Sequence, residues 1–411
     1  MKNRYFSLVF LTSFIALGIS SWLLERKVVV QAAGVQAPRF EVDPMWPKPL
    51  PNHWLIGMTI GVSVDAQDHV WIIHRQNTLE AKEVYATTNP PGAACCLPAP
   101  PVLEFDQQGN LVGHWGGKNG PGYEWPSSNH GISVDYKGNV WIGGNGRTDT
   151  GDRMAQANAP VGGYHDSMVL KFTQSGKFLM AIGKPHGSKG SNDTQNLGLP
   201  AKTFVDPKTN ELYVADGYGN KRVIVFDADT GKYKRHWGAY GNKPDDKDLG
   251  KYNPNAPPAQ QFRNPVHCAD LSNDGLLYVC DRANDRMQVF KADGTFVKEK
   301  FLYKNTLGDG SVWDIAFSKD PQQKFIYLAD GANEQVHILE RDSLEVLTSF
   351  GDGGRQPGAF YAVHSIATDS KGNIYTTETY RGQRLQKFVY KGLAPVTKKD
   401  QGVPWPKVGG Q

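Results

Sequence analysis

Gly131-Ile132-Ser133-Val134-Asp135, a four-residue turn and then Val140-Trp141 form the stretch by which the rest of the chain is read. Small and apolar residues lead into an Asp, a polar turn follows, and an aromatic residue opens the next strand; this is a hairpin signature. The pattern recurs before and after it: Gly61-Val62-Ser63-Val64-Asp65 with Val70-Trp71, Thr203-Phe204-Val205-Asp206 with Leu212-Tyr213, and Ala269-Asp270-Leu271-Ser272 with Leu277-Tyr278. Two more copies complete six: Ile315-Ala316-Phe317-Ser318 with Ile326-Tyr327, and Ser365-Ile366-Ala367-Thr368-Asp369 with Ile374-Tyr375. A third strand of one type follows each hairpin: Val102 to Phe105, Val169 to Phe172, Val223 to Phe226, Met287 to Phe290, Val336 to Leu339 and Leu385 to Phe388. A fourth strand follows five of them, ending at His114-Trp115-Gly116, Ala181-Ile182-Gly183, His236-Trp237-Gly238, Lys300-Phe301 and Ser349-Phe350-Gly351. Six four-stranded units spaced about 40 to 70 residues apart predict an all-β, six-bladed β-propeller of antiparallel blades with loop insertions. Ring closure limits the exposed edges that an open row of sheets would leave.

The sixth unit lacks its own fourth strand, because Lys391 onward is rich in Pro, Gly and Lys. Arg39-Phe40-Glu41-Val42-Asp43 alternates like a strand and is the expected donor, closing the ring through the two chain ends. The longest insertions, roughly Gln76 to Pro101, Asn145 to Asp166, Lys184 to Gly198 and Gly241 to Gln261, should cover one face. The expected organisation is an export segment over 1–37, the propeller over 38–390 and a tail over 391–411.

Composition agrees with many short strands: the 411 residues include 45 Gly and 26 Pro, and 39% are hydrophobic. The apolar run from Tyr5 to Leu24, with Lys2 and Arg4 before it and Glu25-Arg26-Lys27 after it, reads as an export signal. Cleavage near the small residues Ala32 to Ala37 and retention as a membrane anchor both fit its length. A periplasmic or secreted location is expected. Residues 1–37 carry four basic groups and one acidic, so most of the formal +4 resides there and the rest is near +1. That balance excludes a nucleic-acid partner as the expectation. Four cysteines in an exported chain favour pairing. Cys268 and Cys280 flank the turn Ser272-Asn273-Asp274-Gly275 symmetrically, which suits a cross-strand bond. Cys95 and Cys96 are adjacent and leave a vicinal disulfide, a thiol pair or bonds to the other two open.

One register position carries the candidate chemistry. Five residues before the Asp or Ser that ends each first strand, the six units read Ile60, His130, Ala201, His267, Trp313 and His364. Alternate blades of a sixfold ring lie about 120° apart, so His130, His267 and His364 would converge on the axis as a three-His metal site. Zinc is the default ion for neutral imidazoles in an exported protein, with iron and copper compatible on ligand type. The turns after the second strands include Ile73-His74-Arg75, Asp216-Gly217-Tyr218-Gly219-Asn220 and Asp281-Arg282-Ala283-Asn284. The Asp-Gly and Asn elements belong to ordinary turns. Arg75, Arg282 and Tyr218 are required by none: the arginines would suit a carboxylate substrate, and the phenol between cations would serve as a base. Ion pairs with neighbouring blades compete as a role for the arginines.

These segments, together with Asn129-His130-Gly131, Val266-His267 and Val363-His364, resemble in order and blade position those of the peptidyl-α-hydroxyglycine α-amidating lyases, a family of NHL-repeat propellers. The resemblance runs from about Trp54 to Phe388. It implies a lyase that cleaves an α-hydroxyglycine C-terminus to a peptide amide and glyoxylate. It further implies that His130, His267 and His364 hold Zn2+, that Tyr218 is the base for the substrate hydroxyl, and that Arg75 and Arg282 bind substrate and stabilise developing charge. A structural Ca2+ with backbone ligands from Val62 and Ile132 is also implied. Two positions depart from the family: Ser365 stands where the calcium carboxylate would follow the third histidine, and Ala362 where a Met would precede it. The hydroxylating partner domain is absent from this chain. The rival expectations are a non-catalytic exported propeller with a structural metal, and a metallohydrolase for another small carboxylate.

Overall fold

The computed structural model describes residues 34–150 and 163–397. Its architecture follows from what the repeated Asp does. In the second blade one Asp135 oxygen accepts the backbone N–H groups of Lys137 (2.9 Å) and Asn139 (2.8 Å), which closes the turn, while the other accepts the Trp141 indole at 3.0 Å. Asp65 with Trp71 and Asp369 with Tyr375 repeat the arrangement. One carboxylate thus pins a hairpin turn and satisfies the polar atom of a fully buried aromatic side chain, which explains why the two residue types recur together.

Six four-stranded antiparallel sheets form the blades. The first strands, innermost in each, are Met58–Val64, Asn129–Val134, Lys202–Val205, Val266–Leu271, Asp314–Phe317 and Val363–Thr368. In the sixth sheet the order is Val363–Thr368, Ile374–Glu378, Arg384–Pro395 and, outermost, Gln36–Asp43. Gln36 pairs with Pro395 and Asp43 with Lys387. The expected boundaries at 38 and 390 therefore cut through paired strands: the ladder begins two residues earlier and runs five residues further, because Leu393, Ala394 and Pro395 find backbone partners in Pro38, Ala37 and Gln36.

Apolar clusters lie between neighbouring blades. Tyr213, Val223, Val225 and Trp237 of the third blade meet Val266, Leu277, Val279 and Phe290 of the fourth; Phe40 of the first described strand packs with Tyr327 and Phe350 of the fifth blade. Because the strands alternate in direction, the starts of the first strands and all four long insertions emerge on one face. Cys268 and Cys280 face each other across their hairpin and form a disulfide, and Cys95 and Cys96 form the vicinal one. Among the described residues no helix is long and apolar enough to cross a membrane. The apolar run 5–24 lies outside them, and the expected cleavage region, Ala32 to Ala37, straddles their start: Gln36 and Ala37 already pair in the sixth sheet.

Candidate metal centre and catalytic site

Each of the three register histidines sits at an irregularity in its first strand. Val266 pairs with Asp281 and Cys268 with Cys280, so His267 is an extra residue in the ladder; His364 lies in the same way between Val363 and Ser365, and His130 within the break between Asn129 and Ile132. A bulge of this kind releases a side chain from the sheet and re-aims it. All three are buried, and their ring centroids form a triangle with sides of 5.1, 4.9 and 4.8 Å. Two glycines make room for the approach. A Cβ on Gly131 would stand 2.3 Å from the Ala201 carbonyl oxygen, and one on Gly217 would stand 2.1 Å from the backbone of Val266.

The tautomers follow from the neighbours. His130 Nδ1 lies 2.8 Å from the Ala201 carbonyl, His267 Nδ1 2.5 Å from that of Trp313, and His364 Nδ1 2.6 Å from that of Ile60. A carbonyl only accepts, so each Nδ1 carries the proton and each Nε2 presents a lone pair. The candidate ligand atoms all lie within 4.8 Å of one another. Burial holds His130 and His267 well below the ordinary imidazole range and pushes His364 down to about 3, with the charge of Arg282 adding to each shift. Three neutral imidazoles with committed Nδ1–H groups and convergent lone pairs are what a first-row transition ion requires. The residues fit such an ion.

Tyr218 closes over this triangle. Its hydroxyl is 2.9 Å from His130 Nε2 and 3.0 Å from His267 Nε2, and it accepts from an Arg282 NH group at 3.1 Å. A phenol has one proton to give, so it can serve only one of those two nitrogens; His364 Nε2 has no hydrogen-bond partner among the described residues. Burial raises the Tyr218 pKa, and the charges of Arg282 and Arg75 work against it. The expectation that the cations favour the phenolate is met in direction only: burial outweighs them in the protein alone.

The arginines play different parts. Arg75 donates from Nε to the Asn129 carbonyl at 3.0 Å and from an NH2 group to Asn145 Oδ1 at 2.7 Å. Arg282 lies 4.7 Å from the Trp313 ring and 5.6 Å from the Tyr218 ring, with Asp309 at 3.4 Å and its buried Nε without a partner. The ion pair with Asp309, in the loop before the fifth blade, meets the competing expectation for Arg282, while the ion pairs within the blade turns are made by Arg222 with Asp216 and Arg286 with Asp281. His74, beside Arg75, is structural: its Nδ1 accepts from Gly57 and its Nε2 donates to the Pro100 carbonyl.

A group missed in the sequence lies below the histidines. The Lys202 ammonium bridges Asp314 at 2.7 Å and Asp270 at 3.0 Å, and Ser365 donates to the second Asp314 oxygen at 2.6 Å. Val62 and Ile132, from which calcium ligands were expected, line the same axial channel. These residues do not fit calcium: the Lys202 ammonium already stands between the two carboxylates, and residue 365 supplies a hydroxyl. The signal was readable one residue after the histidine register, where Lys202 and Asp314 stand.

No protein-family model matches the chain. It is 25% identical over 359 residues to peptidyl-glycine alpha-amidating monooxygenase A of Xenopus laevis, covering 84% of this chain and 33% of that protein. It is 26% identical to the Mus musculus enzyme over 336 residues, 79% of this chain and 30% of the other. The chain thus spans about a third of the length of these relatives. NHL repeat-containing protein 3 of Mus musculus is 24% identical over 375 residues, covering 86% of this chain and 85% of its own. A solved streptogramin B lyase structure superposes with a TM-score of 0.46 at 12% identity, covering 87% of this chain and 98% of that one. By the sequence matches and its own architecture the chain is a six-bladed propeller homologous to the peptidylglycine alpha-amidating monooxygenases and to NHL repeat-containing protein 3.

Proposed function

We propose that the chain is an exported, metal-dependent lyase that cleaves a peptidyl α-hydroxyglycine, or a closely related hydroxy-acid adduct, to an amide and glyoxylate. The observation that carries this reading is the placement of one phenol oxygen against two convergent imidazole nitrogens and a stacked guanidinium. His130, His267 and His364 would hold a zinc-class ion, which supplies Lewis acidity and favours ionisation of the neighbouring phenol. Arg75 and Arg282 would hold the substrate carboxylate and orient the α-carbon toward Tyr218. Tyr218 takes the proton of the α-hydroxyl, the carbon–oxygen double bond of glyoxylate forms, and the C–N bond breaks. The amide nitrogen receives the electron pair and a proton. Export is supported by the apolar run 5–24 and by two disulfides in one chain.

A second reading, a non-catalytic propeller with a structural metal, is favoured by the match to NHL repeat-containing protein 3 over most of both chains. Incubating the zinc-loaded protein with α-hydroxyglycine peptides and measuring glyoxylate separates the two. Release that stops on chelation supports the lyase; no release from several such peptides overturns it.

A further inference from the structure

A second pair of histidines stands at the rim, on the insertion face. His165 is buried, and its Nδ1 lies 2.7 Å from Asp166 Oδ1. Asp166 is itself fully buried and also accepts the backbone N–H groups of Ser127, Ser128 and Gly146. The His186 Nδ1 lies 2.8 Å from the Gly163 carbonyl. Both acceptors leave the proton on Nδ1, so both rings turn Nε2 outward. There each meets a carboxylate: Glu124 at 3.5 Å from His165 Nε2, and Asp149 at 2.8 Å from His186 Nε2. The rings meet edge to face at 5.3 Å, and the ligand atoms of Asp149, His165 and His186 lie within 4.8 Å of one another. His186 has φ +57°, a left-handed conformation that a residue with a side chain adopts at a cost.

Lone pairs on two neutral imidazoles aimed at two carboxylates repel unless a positive charge lies between them. A proton on each ring would serve, and so would one divalent ion. The carboxylate–histidine relay from Asp166 through His165 is the arrangement that orients and strengthens imidazole ligands. Arms of about 2.1 Å set tetrahedral ligand atoms about 3.4 Å apart, so a bound ion would draw Asp149 back from its 2.8 Å hydrogen-bonding distance to His186 Nε2, whereas the 3.5 Å from His165 Nε2 to Glu124 already leaves that room. Other clusters among the described residues do not serve: Cys268 is in a disulfide and Lys202 bridges Asp270 and Asp314, while the Asp65 oxygens are taken by its turn and by Trp71. We propose that Asp149, His165 and His186 form a second site for a zinc-class divalent cation, with the fourth position open to a water or to the neighbouring Glu124. The ion braces the loops that support the axial centre: Asp166 anchors Ser127 and Ser128, which lead into Asn129-His130, and Gly146, which follows the Arg75 partner Asn145.

Tag-free full-length protein, stripped with EDTA and dialysed, is titrated with zinc, and bound metal is counted by mass spectrometry. The expected stoichiometry is two for the wild type, one for His186→Ala and one for the axial His130→Ala. Asp149→Asn, at an exposed side chain, should weaken the rim site at least about tenfold without disturbing the fold. A His186→Ala protein that binds as much zinc as the wild type overturns the proposal. If His186→Ala lowers the count and His130→Ala does not, the rim site stands and the axial reading falls.

Discussion

The Nδ1–H of His267 donates to the carbonyl of Trp313 at 2.5 Å, and Trp313 holds in the fifth blade the register position that His267 holds in the fourth. His130 is tied in the same way to Ala201 of the third blade, and His364 to Ile60 of the first. Every candidate ligand is thus oriented by the backbone of the next blade, and the three non-histidine positions of the register supply the orienting oxygens. Assembly of the ring assembles the site.

Since those acceptors are main-chain atoms, changing their side chains should spare metal binding, whereas removing an imidazole should not. His267→Ala is expected to lose its axial ion on dialysis while keeping its far-UV circular dichroism. Trp313→Phe should retain the ion. Metal analysis of the two variants side by side checks the distinction.

Tyr218→Phe keeps the ring and removes the hydroxyl. Turnover should fall by about 10²- to 10⁴-fold, the usual contribution of a general base, with KM little changed. A steady-state glyoxylate assay gives both parameters.

Arg282→Lys retains the charge but loses the planar fork and the face that stacks on Trp313. We expect kcat/KM to drop at least about tenfold, with part of the loss in KM, because a carboxylate held by two N–H groups is held by one afterwards. The same assay at varied substrate concentration resolves the two contributions.

Replacing Lys202 by Met would leave the buried Asp314 and the partly buried Asp270 without their shared cation. Removing one member of a buried ion group costs about 3–5 kcal/mol. Urea unfolding should show a loss of that size, and calcium should be tested for partial rescue, since the vacated carboxylates would then face an open channel.

The metal-free protein should lose stability in acid through its axial histidines. The folded pKa of His364 is depressed to about 3 from an ordinary 6.5. The unfolded chain therefore binds the proton more readily, and the stability present above pH 6.5 is lost as pH falls toward 3. The slope is up to about 1.4 kcal/mol per pH unit for each such imidazole. Denaturation midpoints of the EDTA-treated protein between pH 7 and 4 measure it, and His364→Gln should flatten the curve.

Much of this was legible because a repeat supplies its own alignment. Once Asp135 with Trp141 and its five counterparts were in register, His130, His267 and His364 fell on one column without reference to coordinates. The carbonyl partners were not legible, since Ala201 and Ile60 act through backbone atoms that side-chain identity does not announce. Lys202 and Asp314 belong to the next column, yet their meeting depends on which residues the curvature of the ring turns inward. The rim pair was hidden for another reason: His165 and His186 lie in two separate insertions, where no periodicity relates them. The strand through Pro395 reads as loop by composition, and is a strand because Gln36 to Pro38 lies beside it.

The direction of the outermost strand pair has a bearing on how the molecule is presented. Arg384–Pro395 runs away from the face where the histidine-bearing strands begin, and Gln36–Asp43 runs back toward it. Val35 and Val396, joined by a 2.8 Å backbone hydrogen bond, therefore leave side by side from the opposite face. Any tether attached before Gln36 or after Pro395 leaves from the face where the first strands end, the side on which the axial channel lined by Val62, Val134 and Lys208 opens, and the insertion loops with their histidine pair point away from it.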